Sequence, residues 1–199
     1  MSRKIDHDAR KGEIARKALQ LFSQTGYENV SLMMIAAATG ISRTALYRYF
    51  CSKREVLAAA IATVACRIEQ ETRAILATRK PAMVRLELVC HAVVGIMFKN
   101  RDFVIAVFDY VLGMVRTGAD MTGVIRRHTA GTRDAIRLLV EHGQRRREVP
   151  DTFNVGRIAD AIYAEFESCA MRIVLGTEHG PAAAKVRFSD IIKAISVRK

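Results

Sequence analysis

Apolar residues recur at three- and four-residue intervals along nearly the whole chain, while period-two alternation of β-branched residues is hard to find. That pattern predicts an all-α protein of about nine helices. The three prolines, Pro81, Pro150 and Pro181, each fall between apolar stripes rather than inside one, so they punctuate the later helices. The first helix is expected from about Asp8 to Gln24, with Ile14, Ala18, Leu21 and Phe22 on one face and Gly26 as a left-handed stop. Ser31 then caps a second helix that carries Leu32, Ile35, Ala36 and Ala38 and ends at Gly40. Ser42 caps a short third helix with Ala45, Leu46 and Tyr47. After Phe50, the pair Cys51-Ser52 opens a longer fourth helix striped by Leu57, Ile61, Val64, Ile68 and Ile75.

Five more helices follow. The fifth lies beyond Pro81, with Leu86, Cys90, Val93 and Met97. The sixth, capped by Asn100 or Asp102 and running to about Val115, is apolar almost all round and is expected at the centre of a bundle. The seventh spans about Asp120 to Arg147, the eighth Thr152 to about Leu175, and the ninth starts after Gly180-Pro181, where proline suits a first helical position. The pattern divides the chain into residues 8–57, three short helices and the start of a long one, and residues 58–199.

Half of the residues are hydrophobic and 26% are charged, which provides for both a buried core and a solvated surface. The longest apolar run, Phe103 to Val115, is broken by Asp109 and is too short to span a membrane. The N-terminus is polar, unlike a secretory signal, so the cytoplasm is the expected location. The four cysteines are widely spaced with no Cys-x-x-Cys pair, which indicates reduced thiols rather than a metal knuckle or disulfides. No metal or cofactor is expected. A net charge of +12 at pH 7 favours a polyanionic partner.

The tight Gly40-Ile41 turn joins two helices, the second opening with Ser42-Arg43-Thr44, and Tyr47, Arg48, Tyr49, Lys53 and Arg54 lie close by in sequence. Cations and phenols of this kind hydrogen-bond phosphate oxygens and base edges, so the segment from Ser31 to Phe50 reads as a helix-turn-helix for double-stranded DNA. Phe50 reads as core packing instead.

The segment Ile14 to Leu57 resembles the TetR family of regulators. The resemblance rests on Leu21-Phe22, Gly26-Tyr27, Ser31, Ile35-Ala36, Gly40-Ile41-Ser42, Leu46-Tyr47, Tyr49-Phe50 and Ser52-Lys53 at unbroken spacing. It implies that Ser31 caps the second helix and touches phosphate, that Arg43 and Thr44 meet base edges, and that Tyr47, Tyr49 and Lys53 hold the DNA backbone; Ser42, at the start of the third helix, is expected at the DNA as well. It also implies a homodimer that represses transcription from an operator. The sequence departs from the family at Thr44, Ala45 and Arg54, where glycine, threonine and an acid are common, and at Met33 and Met34, where polar residues are.

In the eighth helix, Ile158, Ile162, Cys169 and Ile173 form one apolar line, and Ala159, Tyr163, Ala170 and Val174 a second. Two apolar faces suggest two partners: the protein's own core and the same helix of a second subunit, with Ile191 and Ile195 of the ninth helix completing the interface. A sensory pocket for an apolar or amphipathic small molecule is expected among the fourth to eighth helices, with His91, Phe98, Phe108 and Asp109 as candidate contacts. Glu165 and Arg172 read either as an ion pair or as ligand contacts. Arg126, Arg127, Arg133, Arg137, Arg145, Arg146 and Arg147 read as a solvated basic face.

No Gly-x-Ser-x-Gly, Walker loop or His-Glu-x-x-His is present, so nothing in the sequence supports an enzyme. The alternative is an architectural protein that binds DNA without sequence preference. The long segment after Leu57 favours a ligand-responsive regulator over it.

Overall fold

The computed structural model describes residues 2–118 and 122–197, and for residues 2–6, 8 and 122–128 only the backbone. Among the described residues there are nine helices and no strand. They are α1 (Ser2–Thr25), α2 (Leu32–Thr39), α3 (Arg43–Tyr47), α4 (Lys53–Leu76), α5 (Ala82–Lys99), α6 (Arg101–Arg116), α7 (Thr122–Arg145), α8 (Val155–Val174) and α9 (Pro181–Ile195). The expected start of the seventh helix at Asp120 lies outside the described residues. So do the side chains of Arg126 and Arg127.

The chain forms two compact units. The first holds residues 1–65 and 100–125, the second 66–99 and 126–199. Hence α4 begins in one unit and ends in the other, and α6 packs with the N-terminal helices, a grouping that a division after Leu57 does not anticipate.

In the first unit, Ile14, Ala18 and Phe22 of α1 are buried with Ile35 of α2, Leu46 of α3, Val56 and Leu57 of α4, and Ala106 and Tyr110 of α6. Although nearly all apolar, α6 is not central: Val104, Ala106 and Tyr110 are buried, while Leu112 and Val115 stand 52% and 62% exposed. Asn100 occupies its N-cap position without a side-chain capping bond.

In the second unit α5 is the buried helix, with Leu86, Val89, Cys90, Val93 and Val94 inside, packed against α8 and α9. Phe166 of α8 meets Phe188 of α9 with ring centroids 4.5 Å apart. At the α8–α9 connection the Arg187 guanidinium grips Glu178 through two nitrogens and Glu165 through a third. Glu165 therefore pairs across to α9, whereas Arg172 reaches Ser168 on its own helix. Gly143, near the end of α7, lets Met83 and Val149 approach closely: a Cβ there would lie 2.7 Å from Met83 Cε and 2.9 Å from Val149 Cγ2.

Candidate nucleic-acid interface

The recognition segment is built by local capping. Ser31 stands in extended backbone before α2 and its hydroxyl accepts the Met34 amide at 3.2 Å. At the other end Gly40 is left-handed, with φ 69°, and the Ile41 and Gly40 amides return to the carbonyls of Ala36 and Ala37. These bonds satisfy the last carbonyls of α2 and turn the chain sharply. Ser42 then caps α3 by accepting the Ala45 amide at 3.1 Å. Ile35, Ala36 and Leu46 anchor both helices in the core, and Thr39 is buried with its hydroxyl returned to the Ile35 and Ala36 carbonyls.

With those side chains inside, the opposite face is exposed. Ser31, Ser42, Arg43, Thr44, Tyr47 and Arg48 all lie on the surface. The Arg43 guanidinium stands over the Tyr47 ring, 5.6 Å from its centroid, and 3.4 Å from its hydroxyl. Phe50 is core, as expected, at 2% exposure. Tyr49 is half-buried and stacks on His7 of α1 with centroids 4.7 Å apart, so its ring is held by protein. Met33 and Met34 are exposed, and nothing in the structure explains them.

Lys53, expected at the DNA backbone, is engaged within the protein. Its ammonium donates to the Tyr27 carbonyl at 2.9 Å, the Glu28 carbonyl at 3.0 Å and the Glu28 carboxylate at 3.1 Å, and it lies over the Tyr27 ring. An ammonium has three N–H bonds, and here all three are used. The adjacent Arg54 is exposed and forms no ion pair among the described residues, so it and Arg48 are exposed cations beside the recognition helix. Their place in the basic segment was readable from the sequence, but their exposure was not, because it depends on which neighbour the Tyr27-Glu28 turn engages.

The four expected pocket residues fall in different units. His91 and Phe98 belong to the second unit, Phe108 and Asp109 to the first. His91 Nε2 lies 3.1 Å from the Lys185 carbonyl and 3.2 Å from the Ser189 hydroxyl, and that hydroxyl donates to Glu87. Asp109 accepts the Tyr27 amide. Both polar candidates thus already have protein partners.

A groove of about 510 Å³ does occur in the second unit, between the C-terminal half of α4 and α7, lined in part by Thr72, Leu76, Ala135 and Leu138. Thr72 is 6% exposed and its hydroxyl has no hydrogen-bond partner among the described residues. It continues the Leu57, Ile61, Val64 and Ile68 stripe, where one polar residue among apolar ones was the available signal. Glu69, Arg73, Asp134, Arg137 and Glu141 form the charged edge of this groove. Among the described residues no group of His, Cys, Asp and Glu is placed to hold a metal ion.

The expected dimer residues divide. Ala159 and Tyr163 are buried within the chain itself. The Arg133 guanidinium lies 3.5 Å from the centre of the Tyr163 ring and pairs with Asp160 and Glu167, so Arg133 belongs to the α7–α8 packing rather than a solvated basic face. Burial raises the pKa of the Tyr163 phenol. Ala170, Val174, Ile191 and Ile195 are half-buried. The exposed apolar line on α8 is instead Ala164, Met171 and Leu175, with Val186 on α9.

A glycine-turned pair of capped helices, with Arg43, Thr44 and Tyr47 on the outer face of the second, defines a helix-turn-helix DNA-binding protein. The family described as bacterial regulatory proteins, tetR family, matches residues 14–60, the segment that holds this helix-turn-helix. No curated protein matches the sequence. Solved structures with the same fold include a TetR transcription regulator from Haloarcula marismortui (TM-score 0.79, 17% identity, 95% of this chain and 99% of that one). The fatty acid degradation regulator of Bacillus halodurans is similar at TM-score 0.77, with 13% identity and 94% of each chain covered. A ketosteroid transcriptional regulator of Mycobacterium tuberculosis has TM-score 0.74, 16% identity and coverage of 95% and 96%.

Proposed function

We propose that this chain is a cytoplasmic, dimeric transcriptional repressor that leaves its operator when an apolar or amphipathic small molecule occupies its second unit. The observation that carries the reading is the exposed outer face of α3: Arg43, Thr44 and Tyr47 on a helix whose inner face is fixed by buried Leu46. Arg43 has the forked donor geometry that pairs with guanine, Thr44 can meet a base edge, and Arg48 and Arg54 supply phosphate contacts. Residues 8–57 carry DNA binding in this reading, and the effector and dimer surfaces lie in the remainder.

The groove between α4 and α7 is the proposed effector site. Its Leu76, Ala135 and Leu138 suit an apolar body, and the unpartnered Thr72 hydroxyl suits one polar group. Structural neighbours named for fatty acid and ketosteroid regulation favour the same chemical class. Because α4 starts in the first unit and ends in the second, a ligand that binds two settings of this helix unequally shifts DNA affinity by about 1–3 kcal/mol. No helix among the described residues is long and apolar enough to cross a membrane.

The dimer surface we assign is the exposed line Ala164, Met171 and Leu175 of α8 with Val186 of α9, one step around the helix from Ala159 and Tyr163. A second copy fits because small Ala164 permits close helix approach and a two-fold axis pairs the line with itself. Enrichment of bound duplexes from a random-sequence library tests the reading. The expected product is a pseudo-palindrome with half-sites about one helical turn apart. Tight binding with no enriched sequence contradicts it and favours the architectural alternative.

A further inference from the structure

The turn that links α1 to the recognition segment is held from two sides by charged side chains of two other helices, all within the first unit. Helix α1 stops at Gly26, which is left-handed at φ 86°. The next amide, that of Tyr27, would normally loop back onto the last turn of the helix. Instead it donates to the Asp109 carboxylate of α6 at 2.5 Å. On the carbonyl side of the same residue, the Lys53 ammonium of α4 takes the Tyr27 and Glu28 oxygens. The Tyr27 ring is 4% exposed and packs between Phe22, Tyr110 and the Lys53 ammonium.

More of α6 follows the same edge. Asp102, one heptad before Asp109, accepts the Ser23 hydroxyl at 3.0 Å, and the Glu28 carboxylate lies against Gly113, 3.6 Å from where a Cβ would sit. Thus Asp102, Asp109 and Gly113 line the side of α6 that meets the end of α1 and the turn. From Glu28, the chain reaches the Ser31 cap within three residues.

We infer that Asp109 and Lys53 are positioning residues for DNA binding: together they latch the Tyr27-Glu28 turn, so that the setting of α6 fixes where α2 and α3 stand. Helix α6 is entered from α5 through the single residue Asn100. This inference rests on the proposed regulator reading for its purpose, and on the Tyr27 contacts for its geometry.

The test compares full-length Asp109→Ala, Asp109→Asn and wild-type protein in two measurements. The first is amide hydrogen exchange at Tyr27 and across residues 27–45 in free protein, which needs no DNA. Alanine removes the acceptor and should speed exchange at Tyr27 and the following segment, while asparagine keeps a carbonyl acceptor and should restore protection. The second is affinity for the duplex enriched by the wild type. Asp109→Ala should bind about tenfold more weakly, within the range of typical coupling, and Asp109→Asn should recover most of that loss. Unchanged Tyr27 exchange in Asp109→Ala, or affinity within about twofold of wild type, overturns the latch. A wild-type protein that enriches no sequence defeats the regulator reading instead, and the exchange measurement still decides the latch.

Discussion

Lys53 and Arg54 are adjacent cations with different partners, and the difference sets a measurable contrast. Lys53 is fully engaged by Tyr27 and Glu28, so Lys53→Ala should weaken DNA binding by loosening the turn while leaving the salt dependence unchanged. Arg54→Ala should lower the slope of log affinity against log salt by about 0.9 per subunit, because one phosphate loses its partner and keeps its counterion. Binding titrations across salt on one duplex distinguish the two. Tyr27 itself gives a pH dependence. Its phenol is pushed up to about 12, first by burial and then by Tyr110 and Glu28. The folded state therefore favours the neutral form, and that stability is complete below pH 10 and is lost as the pH rises from 10 towards 12. Thermal melting followed from pH 9 upward should show the decline, and Tyr27→Phe should flatten it over that interval. The sequence revealed Lys53 and Tyr27 as motif residues, but it could not reveal that they engage each other.

At the scale of elements, the parts written locally were legible. Ser31, Gly40 and Ser42 cap and turn the chain through bonds that span only a few residues, so the helix-turn-helix could be read directly. Parts that depend on distant packing were not. An apolar helix such as α6 reads as central because composition does not say which face meets which neighbour, and Leu112 and Val115 are in fact exposed. The two apolar lines of α8 posed the same problem: both meet the chain's own core at Ile162, Tyr163 and Cys169, and the free line lies one step further round. Asp109 and His91 stood out as polar residues on apolar helices, and each has a protein partner whose identity the sequence does not give. Gly143 is another product of tertiary packing. Met83 can swing aside from an added methyl, but Val149 is 1% exposed and has little room. Gly143→Ala should therefore cost about 1–3 kcal/mol in denaturant unfolding, whereas the exposed, open Gly131 offers a control whose alanine variant should lose no stability.

For the whole molecule, the basic net charge favours sequence-independent attraction to DNA, and in the proposed dimer specificity comes from the placement of two recognition helices. Met171 and Leu175 are 44% and 65% exposed on α8, and Met171→Glu with Leu175→Glu should give a folded monomer by sedimentation that loses tight operator binding. A double variant that stays dimeric would move the interface elsewhere. The central claim, that the outer face of α3 reads base sequence, is tested most directly by titrating wild type and Arg43→Ala against the enriched duplex and a scrambled one at a single salt concentration. The expected result is a loss of about 1–3 kcal/mol for Arg43→Ala on the enriched duplex, with affinity for the scrambled duplex nearly unchanged. Equal losses on both duplexes, or none on either, would contradict it.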